Sequence, residues 1–355
     1  MYIVILSFLT AFTLTYFAIP SIIHVAEAKN LFDEPNVRSS HTNRTPSLGG
    51  IGIFAGAIFS IVLWTPFSVF SDLQYILCAF TILFLIGAKD DIMPMSVYKK
   101  LIAQVLAASI LFFKSDIQLK SLYGLFGMTA EIWPWVSFLL SIFTIMVIIN
   151  SFNLIDGINA LAGSIGVVVA STMGCWFFLI DRVELAIVAF TTVGAVLAFL
   201  KYNFTPAKIF MGDTGSLLIG MVSAFLVVEF IDVSYNLPIN HPYKLQNIPV
   251  VGFGVMIIPL FDTLRVFTTR IARGQSPFEA DRRHIHHLLI DSGLSHLQAT
   301  GVLVAVNIGF IALVFLLHDR FGLHALLFLV LFLASTMTYF LHKHAHRMRA
   351  LNVKE

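Results

Sequence analysis

The chain has 355 residues, 58% of them apolar and 12% charged, against roughly 45–50% apolar and about 25% charged in a soluble domain. A water-soluble fold could not hide that much apolar surface, and a formal net charge of +2 gives no basic footprint for nucleic acid. Apolar stretches of about 18 or more residues recur from end to end, each long enough to cross a hydrocarbon core of roughly 30 Å as a helix, so an all-α polytopic membrane protein is expected.

In chain order, eleven spans are expected, near 1–24, 48–70, 73–88, 99–113, 134–150, 158–180, 184–200, 215–234, 248–269, 298–317 and 323–342. The first lacks a basic n-region and a small-residue cleavage site, and it reads as a retained span, not a signal peptide. Segment 114–133, with Gly124 and Gly127, leaves room for a small external hairpin. Residues 1–342 are expected to form a single transmembrane domain and 343–355 a basic cytoplasmic tail. Cys78 and Cys175 fall within apolar stretches and read as core filler. With the amino terminus outside, the outer segments hold only Lys114, Lys120, Arg182, Lys244 and Arg320, and every other Lys and Arg falls inside. The positive-inside rule therefore predicts a cytoplasmic carboxyl terminus.

In this topology the dense polar clusters all land on the cytoplasmic side: RSSHTNRTPSLGG at 38–50, GAKDDIMPMSVYKK at 87–100, NSFNLIDGINALAG at 150–163, NFTPAKIFMGDTGS at 203–216 and RIARGQSPFEADRRHIHH at 270–287. Asp, Asn and His at the ends of apolar helices are expensive to bury, and their default reading is a functional site. Asp90 and Asp91 close an apolar run, with Lys99 and Lys100 two to three turns on; a solvated loop of mixed charge is the plain alternative. Asn150, Asn153, Asp156 and Asn159 repeat every three residues and drift slowly round one helix face. Interhelical hydrogen bonds would be their packing role. Asp213, between Gly212 and Thr214, opens a span where small residues admit a ligand to the backbone and the helix amino terminus offers N–H groups to phosphate. His284, His286 and His287 follow Arg282 and Arg283; imidazoles suit a transition metal, whereas the arginines argue for an anion. The oxygen-rich clusters suit magnesium better than zinc. His342, His344 and His346, mixed with Lys343, Arg347 and Arg349, read as a solvated basic tail.

Taken in this order, DD at 90–91, NSFNLIDG at 150–157, NFTPAKIFMGDTGS at 203–216 and HIHH at 284–287 resemble the signature motifs of the polyprenyl-phosphate N-acetylhexosamine-1-phosphate transferase family. The likeness spans nearly the whole chain. HIHH followed by LLIDSGLSH is similar to the bacterial branch that moves N-acetylglucosamine 1-phosphate from UDP-N-acetylglucosamine to undecaprenyl phosphate. The peptidoglycan branch, which uses UDP-N-acetylmuramoyl-pentapeptide, usually shows three consecutive histidines. Two departures stand out: Pro94 replaces a third acid the family often carries, and DGINA replaces the bacterial DGIDG, placing Asn159 and Ala160 there. Asn at that position resembles the eukaryotic relatives, where it helps hold uracil.

The resemblance implies phosphoryl transfer between two anionic reactants with release of UMP, and a magnesium ion, or manganese in its place, to spread the developing charge. It implies Asp213 and Asn153 as metal ligands, and Asp90, Asp91, Lys100, Asp156 and His284 as catalytic groups. Asn150, Asn159, Phe210, Arg282, His286 and His287 are the implied substrate contacts, with Phe210 stacked on uracil. The partners implied are UDP-N-acetylglucosamine, undecaprenyl phosphate and membrane lipid, not nucleic acid; a homodimer is compatible with the sequence. Competing readings are a transferase of muramoyl-pentapeptide or of another N-acetylhexosamine and, in a different class, an ion-coupled transporter, whose polar groups would sit near mid-span.

Overall fold

A computed structural model describes residues 1–32, 44–276 and 283–352, with the side chains of 69–72 and 349–352 left out of account. The described chain is helical: α1 (Tyr2–Ala28), α2 (Gly49–Trp64), α3 (Phe70–Ile92), α4 (Val97–Ser115), α5 (Pro134–Ile155), α6 (Leu161–Leu179), α7 (Val183–Asn203), α8 (Gly212–Asn236), α9 (Ile248–Val255), α10 (Ile257–Ala272), α11 (Ile285–Asp291), α12 (His296–Leu317) and α13 (Leu323–Asn352). Helices satisfy their own backbone groups, the condition a hydrocarbon solvent imposes. Among the described residues the only β pairing is isolated bridging; one such bridge joins Ser121 to Glu131. Around it the Ile132 N–H donates to the Lys120 carbonyl at 3.0 Å, and the segment after α4 folds back on itself as a small hairpin.

α8 is the axis of the bundle. It is apolar on every side and buried along most of its length, which is the pattern of a helix enclosed by others, and α2, α3, α5, α6, α7 and α9 all pack on it. Among the described residues, seven helices, α1, α5 to α8, α12 and α13, are long and apolar enough to cross a membrane. The α9–α10 pair is apolar enough only when taken together and is bent by 88°, the shape of a broken span or a re-entrant loop. The protein is a multi-pass α-helical membrane protein, but the count of eleven is not reached on these criteria. α2 has only 16 residues, and α3 and α4 carry at their ends the charges Lys89, Asp90, Asp91, Lys99, Lys100 and Lys114. Cys78 and Cys175 face outward, not into the core; a bilayer is as apolar as the interior, so hydropathy does not separate the two surroundings.

The bend at Met256 divides what the sequence presents as one continuous span. It frees backbone groups that hydrocarbon leaves without partners, at several kcal/mol each. Asn307 of α12, fully buried, splices the gap: its Nδ2 donates to the Val255 carbonyl at 3.0 Å and its Oδ1 accepts from the Ile258 N–H at 3.3 Å. α10 then runs out toward the basic end of the bundle, where the last helix continues past residue 342 without a break to Asn352.

Candidate active site

The site is assembled where α8 begins. The segment ahead of α8 pairs with the start of α2: the Phe210 N–H donates to the Pro46 carbonyl (2.7 Å), Gly49 to the Phe210 carbonyl (2.9 Å) and Gly50 to the Met211 carbonyl (2.9 Å). Gly212 then turns the chain at φ +70°, a conformation that glycine alone adopts without strain. A Cβ on Gly212 would lie 2.2 Å from the Ser47 carbonyl oxygen and 2.5 Å from Asp91 Oδ2. The turn aims Asp213 toward the carboxyl ends of α3 and α5.

Met211 offers no side chain to cap α8, and Asp91 supplies the cap from α3. Its Oδ1 accepts the Asp213 N–H at 2.7 Å, and its Oδ2 accepts the Thr214 N–H at 3.0 Å and the Thr214 hydroxyl at 2.5 Å. A carboxylate at a helix amino terminus is stabilised by the partial positive charge there. The N–H groups expected to meet phosphate are thus already bound, and Asp91 is placed as the group that positions Asp213. Asp90 points the other way, accepting the Met95 N–H at 2.7 Å and meeting Lys100 Nζ at 2.6 Å. The same ammonium lies 2.6 Å from Asp213 Oδ2, while Asn153 Nδ2 donates to Asp213 Oδ1 at 2.9 Å and to Ser216 Oγ at 3.0 Å. Two carboxylates therefore converge on one cationic centre.

These groups open into a polar cavity of about 470 Å³ lined by Asp90, Asp91, Asn153, Asp156, Asn159, Phe210 and Asp213, together with Phe32, Asn203 and His296. Burial, then the carboxylates of Asp213 and Asp91, hold the Asp156 carboxyl well above the usual range. Asn159 reaches Thr205 Oγ1 at 3.1 Å, and its carbonyl accepts from Thr300 at 2.8 Å. Ala160, where the family resemblance would place glycine, has φ +65°, and its N–H is pinned by Asn203 Oδ1 at 2.7 Å. Asn150 does not line the cavity. Its amide is committed to Gln104 of α4 (2.7 and 3.3 Å) and to the Met146 carbonyl (2.7 Å), an interhelical clamp.

The histidine segment stands behind the cavity, not in its lining. His284, His286 and His287 are 4%, 2% and 8% exposed; Arg282 lies outside the described residues. His286 abuts Gly157, where an added Cβ would come within 2.4 Å of its Nε2. Neither of its ring nitrogens has a hydrogen-bond partner among the described residues. Burial first, and the neighbouring His287, hold its pKa well below the ordinary value, so the ring is neutral. His284 is held by Asp262, a residue that no sequence motif singles out. Asp262 Oδ2 is 2.8 Å from His284 Nδ1, and its Oδ1 takes the Ile285 N–H at 3.1 Å and Arg265 Nη2 at 2.8 Å. Arg265 also donates to the Arg283 carbonyl, so α10 grips both sides of the entry to α11. Among the described residues no cluster of three or more His, Cys, Asp or Glu side chains has the geometry of a preformed metal site.

The sequence profile of glycosyl transferase family 4 matches residues 73–231, the stretch from α3 through most of α8. A Yersinia pestis protein named undecaprenyl-phosphate alpha-N-acetylglucosaminyl 1-phosphate transferase is 29% identical over 89% of this chain and 84% of its own length. The protein of the same name from Escherichia coli O157:H7 is 31% identical over 78% and 73%. A probable undecaprenyl-phosphate N-acetylglucosaminyl 1-phosphate transferase of Bacillus subtilis is 31% identical over 86% and 81%. A membrane-embedded transferase is the class that this fold and these relatives define. Within it, the chain belongs to the polyprenyl-phosphate N-acetylhexosamine-1-phosphate transferase family.

Asp262, 2.8 Å from His284 Nδ1, fixes how the ring is turned, as carboxylates commonly do for functional imidazoles. Asp262→Asn is expected to reduce turnover by on the order of tenfold to a hundredfold and to alter the pH dependence of the rate. An unchanged rate and pH profile, with only the melting temperature lowered, would show that Asp262 serves packing alone.

Proposed function

We propose that this protein transfers N-acetylglucosamine 1-phosphate from UDP-N-acetylglucosamine to undecaprenyl phosphate, releasing UMP, as the first membrane step in making a cell-envelope polysaccharide. The observation that carries this reading is the convergence of Asp90, Lys100, Asn153 and Asp213 at a polar cavity on one end of an apolar bundle. Such a site can meet a water-soluble nucleotide from one side and a membrane-anchored phosphate from the other. The Lys and Arg distribution supports a cytoplasmic site and carboxyl terminus with the amino terminus outside. The names of the relatives favour this reading over ion-coupled transport.

The donor set fits a hard divalent cation. Asp90, Asp91 and Asp213 crowd one cavity with the Asp156 carboxyl, and Lys100 is the ammonium bound between two of them, an oxygen-rich set suited to magnesium or manganese. Asp213, with Asn153 beside it, would hold the ion, which when bound neutralises charge on the pyrophosphate and on the departing UMP. Lys100 stands where it can meet phosphate oxygens, and Asp91 keeps Asp213 and the start of α8 in place. A lipid phosphate with a second pKa near 6 is already largely ionised at neutral pH, so orientation by Asp90 and its neighbours suffices. In the step itself an oxygen of the lipid phosphate forms a bond to the sugar-bearing phosphorus. The bond from that phosphorus to the bridging oxygen breaks, and its electron pair leaves on UMP. Phe210 and Asn159, at the cavity wall, are the uracil contacts, and His284, His286 and His287 frame the sugar phosphate from behind.

Donor choice tests the branch. UMP release by the purified protein with undecaprenyl phosphate should be rapid with UDP-N-acetylglucosamine and undetectable with UDP-N-acetylmuramoyl-pentapeptide, because unmatched polar groups in a closed site cost several orders of magnitude in rate. A faster rate with the pentapeptide donor would move the protein to the other branch, and no UMP with either donor would sink the proposal.

A further inference from the structure

On the side of α10 that faces α13, two cavities run into one another at Phe261 and Thr338. One, of about 150 Å³, is walled by apolar side chains such as Ile258, Val306, Phe310 and Leu341, and the Thr338 hydroxyl within it is turned away to the Ala334 carbonyl at 2.8 Å. The other, of about 500 Å³, is lined by Arg265, Arg273, Arg283, His342 and His346 and, among the described residues, by no carboxylate. Along α13 the basic cavity lies nearer residue 352 than the apolar one, so the pair runs from membrane interior to interface. Its bases are held in place: Arg265 by Asp262 at 2.8 Å, Arg283 Nη1 by Gln275 Oε1 at 3.2 Å, and His346 Nε2 at 3.1 Å from His342 Nε2. The guanidinium groups of Arg273 and Arg283, with the imidazoles of His342 and His346 as hydrogen-bonding partners beside an apolar slot, complement an amphiphile with an anionic head.

We propose that this groove is a binding site for one anionic membrane phospholipid, its phosphate among Arg273, Arg283, His342 and His346 and its acyl chain along the apolar slot. The groove shares no lining residue with the polar cavity that holds Asp213, so a phosphate bound here is not at the reacting centre. α11 separates the two sites. Ile285 and Leu289 face the apolar slot, Leu288 borders the basic cavity, and His286 on the same short helix abuts Gly157. A seated lipid therefore braces the helix that carries the histidines.

Native mass spectrometry of the detergent-purified full-length protein, titrated with phosphatidylglycerol or with phosphatidylcholine of the same acyl chains, tests this directly. Phosphatidylglycerol should be retained in preference, with about fivefold weaker binding in Arg273→Ala and a further loss when His342→Ala and His346→Ala are added to make a triple variant. Thr338→Trp, which plugs the junction of the two cavities, should weaken retention with the bases intact; melting temperatures confirm that each variant is folded. Equal retention of the two lipids, or unchanged binding in the triple variant, overturns the site. Competition by inorganic phosphate at matched concentration would show a free-anion site, and preferential displacement by undecaprenyl phosphate would show a path for that lipid; either result also overturns the proposal.

Discussion

Asp213→Asn is expected to lower UMP release by on the order of a thousandfold or more at saturating magnesium, while the protein still folds and inserts. The substitution keeps the volume and an oxygen to accept from Asn153 (2.9 Å), but it removes the negative charge that faces Lys100 at 2.6 Å. Stabilising charge on a transferring phosphoryl group is worth several kcal/mol, and each 1.36 kcal/mol is a factor of about ten in rate. Steady-state UMP release across a magnesium titration, with thermal melting as the folding control, decides it. A rate near that of the unaltered protein would remove Asp213 from the chemistry.

Gly212→Ala should be nearly as damaging without touching a charged group. At φ +70° an L-residue carries about 1–2 kcal/mol of backbone strain, and overpacking adds about 1–3 kcal/mol. The new methyl would meet the Ser47 carbonyl oxygen at 2.2 Å and Asp91 Oδ2 at 2.5 Å, so the chain must shift at the point that aims Asp213. Misplacing a reacting group by about 1 Å costs on the order of a hundredfold in rate. Turnover should therefore fall far more than the melting temperature predicts, whereas a variant with ordinary activity would show that the turn tolerates displacement.

Most of the site could be read from the sequence because carboxylates and amides at the ends of apolar helices have few reasons to be there. Asp90, Asp91, Asn153, Asp156, Asn159, Phe210 and Asp213 all meet at one cavity. What escaped reading depends on packing. The three-residue spacing of the asparagine series turns about 60° backward per step, so Asn150 reaches Gln104 on α4 while Asn153 faces Asp213. Asp262 stands in no motif of the sequence, and its contact with His284 forms between helices, past the 88° bend at Met256. The span count stays short of eleven on helix length and composition: hydropathy marks the apolar stretch of α4, but Lys99, Lys100 and Lys114 near its ends shorten the part that can lie in hydrocarbon. Asp91 was visible as an acid, yet its task of capping α8 from another helix requires knowing that the two helices touch.

The splice at Asn307 has a bearing on where this chain can tolerate changes in length. Two backbone groups at the elbow are bound by one side chain on α12, so the register of α12 is coupled to the bend. Inserting or deleting a residue between Ser295, whose hydroxyl accepts the Gln298 N–H to cap α12, and Asn307 would rotate the amide by about 100° about the helix axis, leaving a donor and an acceptor bare in hydrocarbon. Length variation is best absorbed around 238–240, which is exposed, because Gln246 and Asn247 tie their own turn to His318 and Phe321 of the other. A designer fusing a tag or grafting a loop into this protein should cut there and leave the eleven residues between cap and splice at their present number.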